Sequence, residues 1–290
     1  MTKTGVAKSC LCLPARDRRI TGLTTQGRFV GGSHLEFYPY LGLGAVRVRS
    51  HLIFETLAYM VGFRSYLRLR KLCGDPVSDY VRWWVVAAAA IGAAIGCKVL
   101  YWFEDPTATL KNWSDPRYLL AGKTIVGGLL GGLIGVEWIK SRLGVTRSTG
   151  DLFAIPLALG IAVGRIGCFL TGLSDHTYGL PTSLPWGVNF GDGVRRHPTQ
   201  IYEILFLLLL SVLLWKFMHL SHRNGDVFKV FMVSYMTWRL LVDFLKPEIR
   251  IAIFSSIQWA CLLTLLYYSG DIVRTFNVRS GAAEQSAPEV

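Results

Sequence analysis

The chain has 290 residues, of which 51% are apolar and only 17% charged, with a formal net charge of +12. Soluble chains usually carry about 25% charged residues, whereas here the apolar residues fall in runs of about 17–22, near the roughly 20 that a helix needs to cross a bilayer. These totals exclude an ordinary soluble enzyme and predict an all-α, polytopic membrane protein with one helical domain. The basic excess reads as loop charge held against anionic lipid heads, and with no recognition module visible, nucleic acid is excluded as a partner.

Residues 1–50 are mixed and Gly-rich without sustained periodicity, and are expected to form an N-terminal interfacial segment. Their opening, MTKTGVAKSCLCLPARDRRI, lacks the apolar core of a signal peptide. Cys10 and Cys12 have no His or second Cys pair nearby, and none of the six cysteines shows paired spacing around a small loop, so no metal site is expected.

The first predicted span runs from Leu52 to Tyr66 and contains Glu55, which faces either the interior of a bundle or interfacial water. The basic tract Arg64, Arg68, Arg70 and Lys71 follows. Trp83 to Phe103 is a strong span with aromatic residues at both ends. Its Gly92 and Gly96 would let a neighbouring helix approach closely. After a polar loop, Glu104 to Arg117, the third span runs from Tyr118 to Ile139. Its glycines form two four-residue series, Gly127, Gly131, Gly135 and Gly128, Gly132. They serve either tight helix packing or a face that makes room for a lipid, which makes Gly131 and Gly132 candidate lipid contacts.

The fourth span, Leu152 to Thr171, carries Arg165 near its far end. A charge at membrane depth costs about 2.5–3.5 kcal/mol on insertion scales and marks a functional site by default. A long loop, 173–199, is rich in Gly, Pro and aromatics and returns to apolar sequence through Arg196, His197 and Pro198. The fifth span is Ile201 to His219, the sixth Phe228 to Leu245, and the seventh Ile251 to Tyr268. The membrane domain thus covers 51–268, about seven helices around a central lipid-binding cavity, with 269–290 as a polar tail, disordered at its end. Basic loops one, three and five place the C-terminus in the cytoplasm and the N-terminus and the 173–199 loop outside.

Arg239 and Asp243 are four apart on the sixth span and share a face, to which Tyr235 adds one turn earlier. The pair either neutralises itself within the bundle or presents Arg239 to a polar cavity. Arg165 has no partner nearby in sequence, although Glu203 or Asp243 could meet it in space. Two arginines aimed at one cavity would suit a phosphate, because the guanidinium fork matches its oxygens, and inside a membrane that phosphate is a phospholipid headgroup. His197 is a candidate base near neutral pH, or else caps the loop. Cys168 is either a small packing residue or a nucleophile that would form a covalent lipid intermediate.

YMVGF at Tyr59–Phe63, the overlapping GGLLG and GGLIG of Gly127–Gly135, GRIGCFLTG at Gly164–Gly172, RHPTQIYE at Arg196–Glu203 and WRLLVDFLKP at Trp238–Pro247 resemble, in this order, the motifs of the phosphatidylglycerol–prolipoprotein diacylglyceryl transferase family. The resemblance covers most of residues 50–265. It implies a seven-helix enzyme of the bacterial inner membrane, working without metal or cofactor, with phosphatidylglycerol and a prolipoprotein signal peptide as partners. The diacylglyceryl group would pass to the lipobox cysteine sulfur with release of glycerol phosphate. Arg165 and Arg239 would hold the phosphate, and Arg196 and Tyr235 would add substrate contacts. The family histidine before GGLxG falls on Val126 or Leu130, its asparagine on Cys168, and its glutamate after NG on Leu173. The base is then open among His197, Glu203, Asp243 and Glu55, with Asp175 and His176 as possible compensation. The acceptor is open too, and the alternative is a phospholipid-binding or transporter-like protein without the chemistry.

Overall fold

The computed structural model describes residues 40–43, 46–220 and 222–284. Of the N-terminal segment, residues 1–39 lie outside this set, and with them Cys10 and Cys12. The described part opens with a hairpin, β1 (Tyr40–Leu43) against β2 (Val46–Arg49), with Tyr40 opposite Arg49. Among the described residues seven helices reach 17 residues or more: α1 (Ser50–Cys73), α2 (Asp79–Trp102), α5 (Ile125–Arg142), α6 (Asp151–Thr171), α7 (Thr199–Met218), α8 (Asp226–Val242) and α9 (Ser256–Glu284). Two short helices, α3 (Pro106–Lys111) and α4 (Pro116–Leu120), fill the connection between α2 and α5. Among the described residues three helices, α2, α6 with its following turn, and α7, are long and apolar enough to cross a membrane.

Several boundaries differ from the sequence expectation. The basic tract after Tyr66 belongs to α1, which continues to Cys73. The third span does not begin at Tyr118. Asp115 caps α4, Gly122 takes a positive φ, and Thr124 caps α5 by accepting from Gly127 N at 3.1 Å. Lys98 of α2 reaches this break and donates to the carbonyls of Leu120, Ala121 and Gly122, the orphan acceptors at the end of α4. The seventh span begins at Ser256, after a hairpin of β5 (Arg250–Ile251) with β6 (Phe254–Ser255). The polar tail from Ser269 continues α9 as far as Glu284, and residues 285–290 lie outside the described set.

The glycine rows have a visible packing role. A side chain on Gly131 would lie 2.2 Å from Gly92 O, and one on Gly96 would lie 2.3 Å from Gly127 O. α2 and α5 therefore touch backbone to backbone, as small residues at an interface allow. α1 also packs closely on α6: a side chain on Gly167 would meet Phe54 Cβ at 2.7 Å and His51 Cα at 3.3 Å.

The core is a cluster along α6, α7, α8 and α9. Its inward residues include Ala154, Ala158 and Ala162 of α6, Leu207, Leu210 and Leu214 of α7, and Phe231 and Met232 of α8. The opposite face of α7, with Leu205, Leu209 and Val212, is exposed. A helix apolar on all sides belongs in lipid or a large core.

Candidate active site

The inward stripes of three helices end in charge. On α6 the buried positions 154, 158 and 162 are followed by Arg165 and Cys168, at the three- and four-residue steps of one helix face. On α8 the stripe Phe231, Tyr235, Arg239 leads to Asp243, the first residue of a 3-10 turn. On α7 Gln200 and Glu203 begin the stripe that Leu207 continues. These ends meet. Arg165 Nε lies 2.9 Å and Arg239 Nη1 3.5 Å from the same oxygen, Glu203 Oε2. Tyr235 donates its hydroxyl to the other oxygen, Oε1, at 2.7 Å. Arg239 Nη2 donates to Asp243 Oδ1 at 2.7 Å, and Ser255 donates to Asp243 Oδ2 at 3.3 Å.

None of the five principal groups is more than 6% exposed. The two arginines thus share one focus, as expected, but Glu203 fills the space between them. Arg165 Nε is engaged with Glu203 at 2.9 Å, whereas Arg239 Nε stays buried without a hydrogen-bond partner. Lys246 Nζ stands 3.6 Å from Asp243 Oδ1. Three cations therefore meet two carboxylates in direct contact, and one donor, Arg239 Nε, is spare.

Around the loop end of this cluster, burial and then the neighbouring Arg239 lower Lys246 to about 8. Burial, followed by the like charge of Glu248, raises Glu104 to about 7, and burial raises Glu248 as well.

A second group adjoins the first. Arg165 Nη1 is 3.9 Å from Cys168 Sγ, which is 3.9 Å from His51 Nδ1. His51 Nδ1 is 3.0 Å from Asp175 Oδ1. Asp175 Oδ2 accepts from the Thr177 hydroxyl at 2.8 Å, and Gln200 Nε2 donates to that hydroxyl at 3.1 Å. Because Gln200 and Glu203 are one turn apart on α7, the polar groups close into a ring. His51 went unseen in the sequence: it stands at the start of α1, far along the chain from Cys168, with no motif around it. Asp175, by contrast, was legible beside the altered GRIGCF motif.

Other candidates stand apart from the arginines. His197 Nδ1 is 3.3 Å from the Tyr202 hydroxyl, to which Trp186 also donates at 2.8 Å. Its backbone joins Gly179, Leu180 and Leu245 in holding the long loop against the bundle. Arg196 pairs with Asp192 at 2.7 Å and lies over the Tyr178 ring. Gly131 and Gly132 lie in the α2–α5 contact. Glu55 pairs with Lys123. A cavity of about 430 Å³ opens at the other end of the helices, between Cys73, Asp75, Thr149, Leu152 and Met218.

Among the described residues, one group has donor atoms close enough for a small ion: His51, Cys168 and Asp175, within 4.8 Å of one another. A cation fits poorly there. Both Asp175 oxygens already face donors, and the Arg165 guanidinium lies against the sulfur.

Comparison with known proteins agrees with the motif pattern. A family model described as prolipoprotein diacylglyceryl transferase matches residues 40–274. A phosphatidylglycerol–prolipoprotein diacylglyceryl transferase of Polynucleobacter necessarius is 28% identical over 268 residues, covering 84% of this chain and 98% of its own. The protein of the same name from Bordetella parapertussis is 31% identical over 226 residues, covering 72% and 84%, and that from Clostridium tetani is 33% identical over 185 residues, covering 61% and 73%. With its motifs in order and its arginines joined on one buried carboxylate, the chain belongs to the prolipoprotein diacylglyceryl transferase family.

Proposed function

We propose that this protein transfers the diacylglyceryl group of phosphatidylglycerol to a prolipoprotein, at the lipobox cysteine of its signal peptide. The observation that carries the reading is the convergence of Arg165 and Arg239 on Glu203 Oε2, with a spare buried Nε donor on Arg239. A phosphodiester brought to the pair finds two guanidinium groups and the unpaired Nε donor of Arg239. As the glyceryl carbon–oxygen bond breaks, negative charge grows on the phosphate. Preorganised donors in a water-poor site stabilise that charge more than they stabilise the bound lipid. Glu203, Tyr235 and Asp243 hold the guanidinium groups in place and limit their net charge while the site is empty.

The seven long helices would span the bilayer of a bacterial inner membrane, with the N-terminus outside and the C-terminus cytoplasmic. The short apolar stretches of α1, α5, α8 and α9 are compatible with helices that lie largely against protein. The lipid enters a central space that opens between α6, α7 and α8 when the headgroup displaces part of the Glu203 contact.

The test is purified protein in vesicles of phosphatidylglycerol with a lipobox peptide. Thioether-linked lipid on the peptide is the expected product, and Arg165→Ala or Arg239→Ala abolishes it. Unchanged turnover in both variants would remove the phosphate role, and lipid binding without product would favour a binding protein.

A further inference from the structure

Transfer to a thiol needs a group that takes the sulfur's proton, because the thiolate is the nucleophile. The arginines cannot serve, since a guanidinium stays protonated. Glu203 and Asp243 are buried and held by Arg165, Arg239, Tyr235 and Ser255. His51 differs on three counts. Its side chain is 32% exposed, whereas that of Arg165 is 7% exposed, so it stands at the rim of the arginine cluster. Cys168 bridges it to Arg165 by contacts of 3.9 Å on each side. Asp175 Oδ1 stands 3.0 Å from its Nδ1.

A carboxylate only accepts, so a hydrogen lies on Nδ1, and Nε2 is the ring atom left to gain and lose a proton, an assignment inferred from the partner. Among the described residues Nε2 makes no hydrogen bond: Glu55 Oε2 is 3.8 Å away, beyond hydrogen-bond range, and Glu55 pairs with Lys123. Asp175 is fixed in turn through Thr177 and Gln200. A base oriented by a carboxylate, next to an anion-binding pair, is the arrangement that nucleophile activation requires.

We propose that His51, oriented by Asp175, is the general base that takes the proton from the acceptor thiol. The sulfur forms its bond to the glyceryl carbon, and the bond from that carbon to the phosphate oxygen breaks. The electron pair leaves on glycerol phosphate, between Arg165 and Arg239. The thiol proton passes to His51 Nε2 and then to water at the exposed rim. His51 takes the part for which Val126 and Leu130 have no suitable side chain. The assignment rests on the transferase reading above.

The test compares two acceptor peptides in phosphatidylglycerol vesicles, one with the lipobox cysteine and one with selenocysteine there, which is ionised at neutral pH without help. For the cysteine peptide, His51→Ala lowers kcat by about 10²–10⁴-fold, the usual worth of a general base. For the selenocysteine peptide the loss shrinks to under about tenfold. His51→Gln, which keeps most of the volume, gives the same contrast and guards against misfolding of the alanine variant. Asp175→Asn gives a smaller loss with the same dependence on acceptor. Equal losses on both peptides would mean a structural role and overturn the assignment, as would undiminished activity in His51→Ala. Stoichiometric zinc that is lost together with activity in His51→Gln would overturn it in favour of a metal site. Wild-type protein that modifies neither peptide would sink the transferase reading itself, and the base with it.

Discussion

Arg165 of α6 and Arg239 of α8 meet at one atom, Oε2 of Glu203, at 2.9 and 3.5 Å. Two like charges are held together in an apolar interior because a carboxylate stands between them, and the tyrosine hydroxyl on its other oxygen fixes where it stands.

The fork geometry of these arginines, and not charge alone, is expected to matter. Arg165→Lys and Arg239→Lys keep the charge but lose the planar set of donors. Each lowers lipidation of a cysteine peptide by about 10²–10³-fold, the cost of removing one charge-stabilising donor group. Mass spectrometry of the peptide measures it.

Glu203→Gln leaves both guanidinium groups facing a neutral amide. Breaking a buried ion pair by removing one partner costs about 3–5 kcal/mol. A marked fall in the thermal unfolding midpoint in detergent is the expected result, and Tyr235→Phe, which loses only the 2.7 Å hydrogen bond, falls by much less.

The contact of α2 with α5 predicts sensitivity to a single carbon. Gly131→Ala places a methyl 2.2 Å from Gly92 O, so the helices must separate. Overpacking of this kind costs roughly 1–3 kcal/mol. Gly144→Ala, with nothing within 4 Å but a positive φ, tests backbone strain without crowding. Thermal unfolding of both variants separates the two effects.

Glu104 gives a pH dependence. Burial, then Glu248, raises its carboxyl from 4.5 to about 7, against the opposing pull of Arg239 and Lys246. Its folded form holds a proton that the unfolded chain has released, so stability from this group is complete below 4.5 and is lost as pH rises through about 7. Glu104→Gln removes the titration. Thermal scans across that window show the wild type losing midpoint relative to the variant as pH rises.

At the far end, Asp75 holds Arg82 by contacts of 2.5 and 2.9 Å and Arg70 at 2.7 Å. Burial pushes the Asp75 carboxyl up, but the arginines outweigh it and keep it below 3.8. The stability it gives is present above that value and lost as pH falls through the lower folded one. Asp75→Asn leaves Arg82, 1% exposed, without its counter-charge, and costs about 3–5 kcal/mol. Lipidation by protein that remains folded is retained, because this network lies at the opposite end of the helices from Arg165.

Local rules made much of the chain legible. The apolar runs of α2, α6 and α7 were legible because they are long and little interrupted, and Arg165, Arg239 and Asp243 because charge in such runs is conspicuous. The breaks were harder. Gly122 with Thr124, and the hairpin before Ser256, end helices by turn geometry inside stretches whose composition stays apolar.

By itself the sequence determined the membrane class, the family motifs and the face that Tyr235, Arg239 and Asp243 share, since helical period depends only on neighbours along the chain. Only the tertiary structure decided that Glu203 sits between the arginines and that His51 reaches Cys168 and Asp175. Those meetings depend on how closely α1 approaches α6 over Gly167 and on which turn of α7 faces α8. Such distances are set by packing between segments remote in sequence.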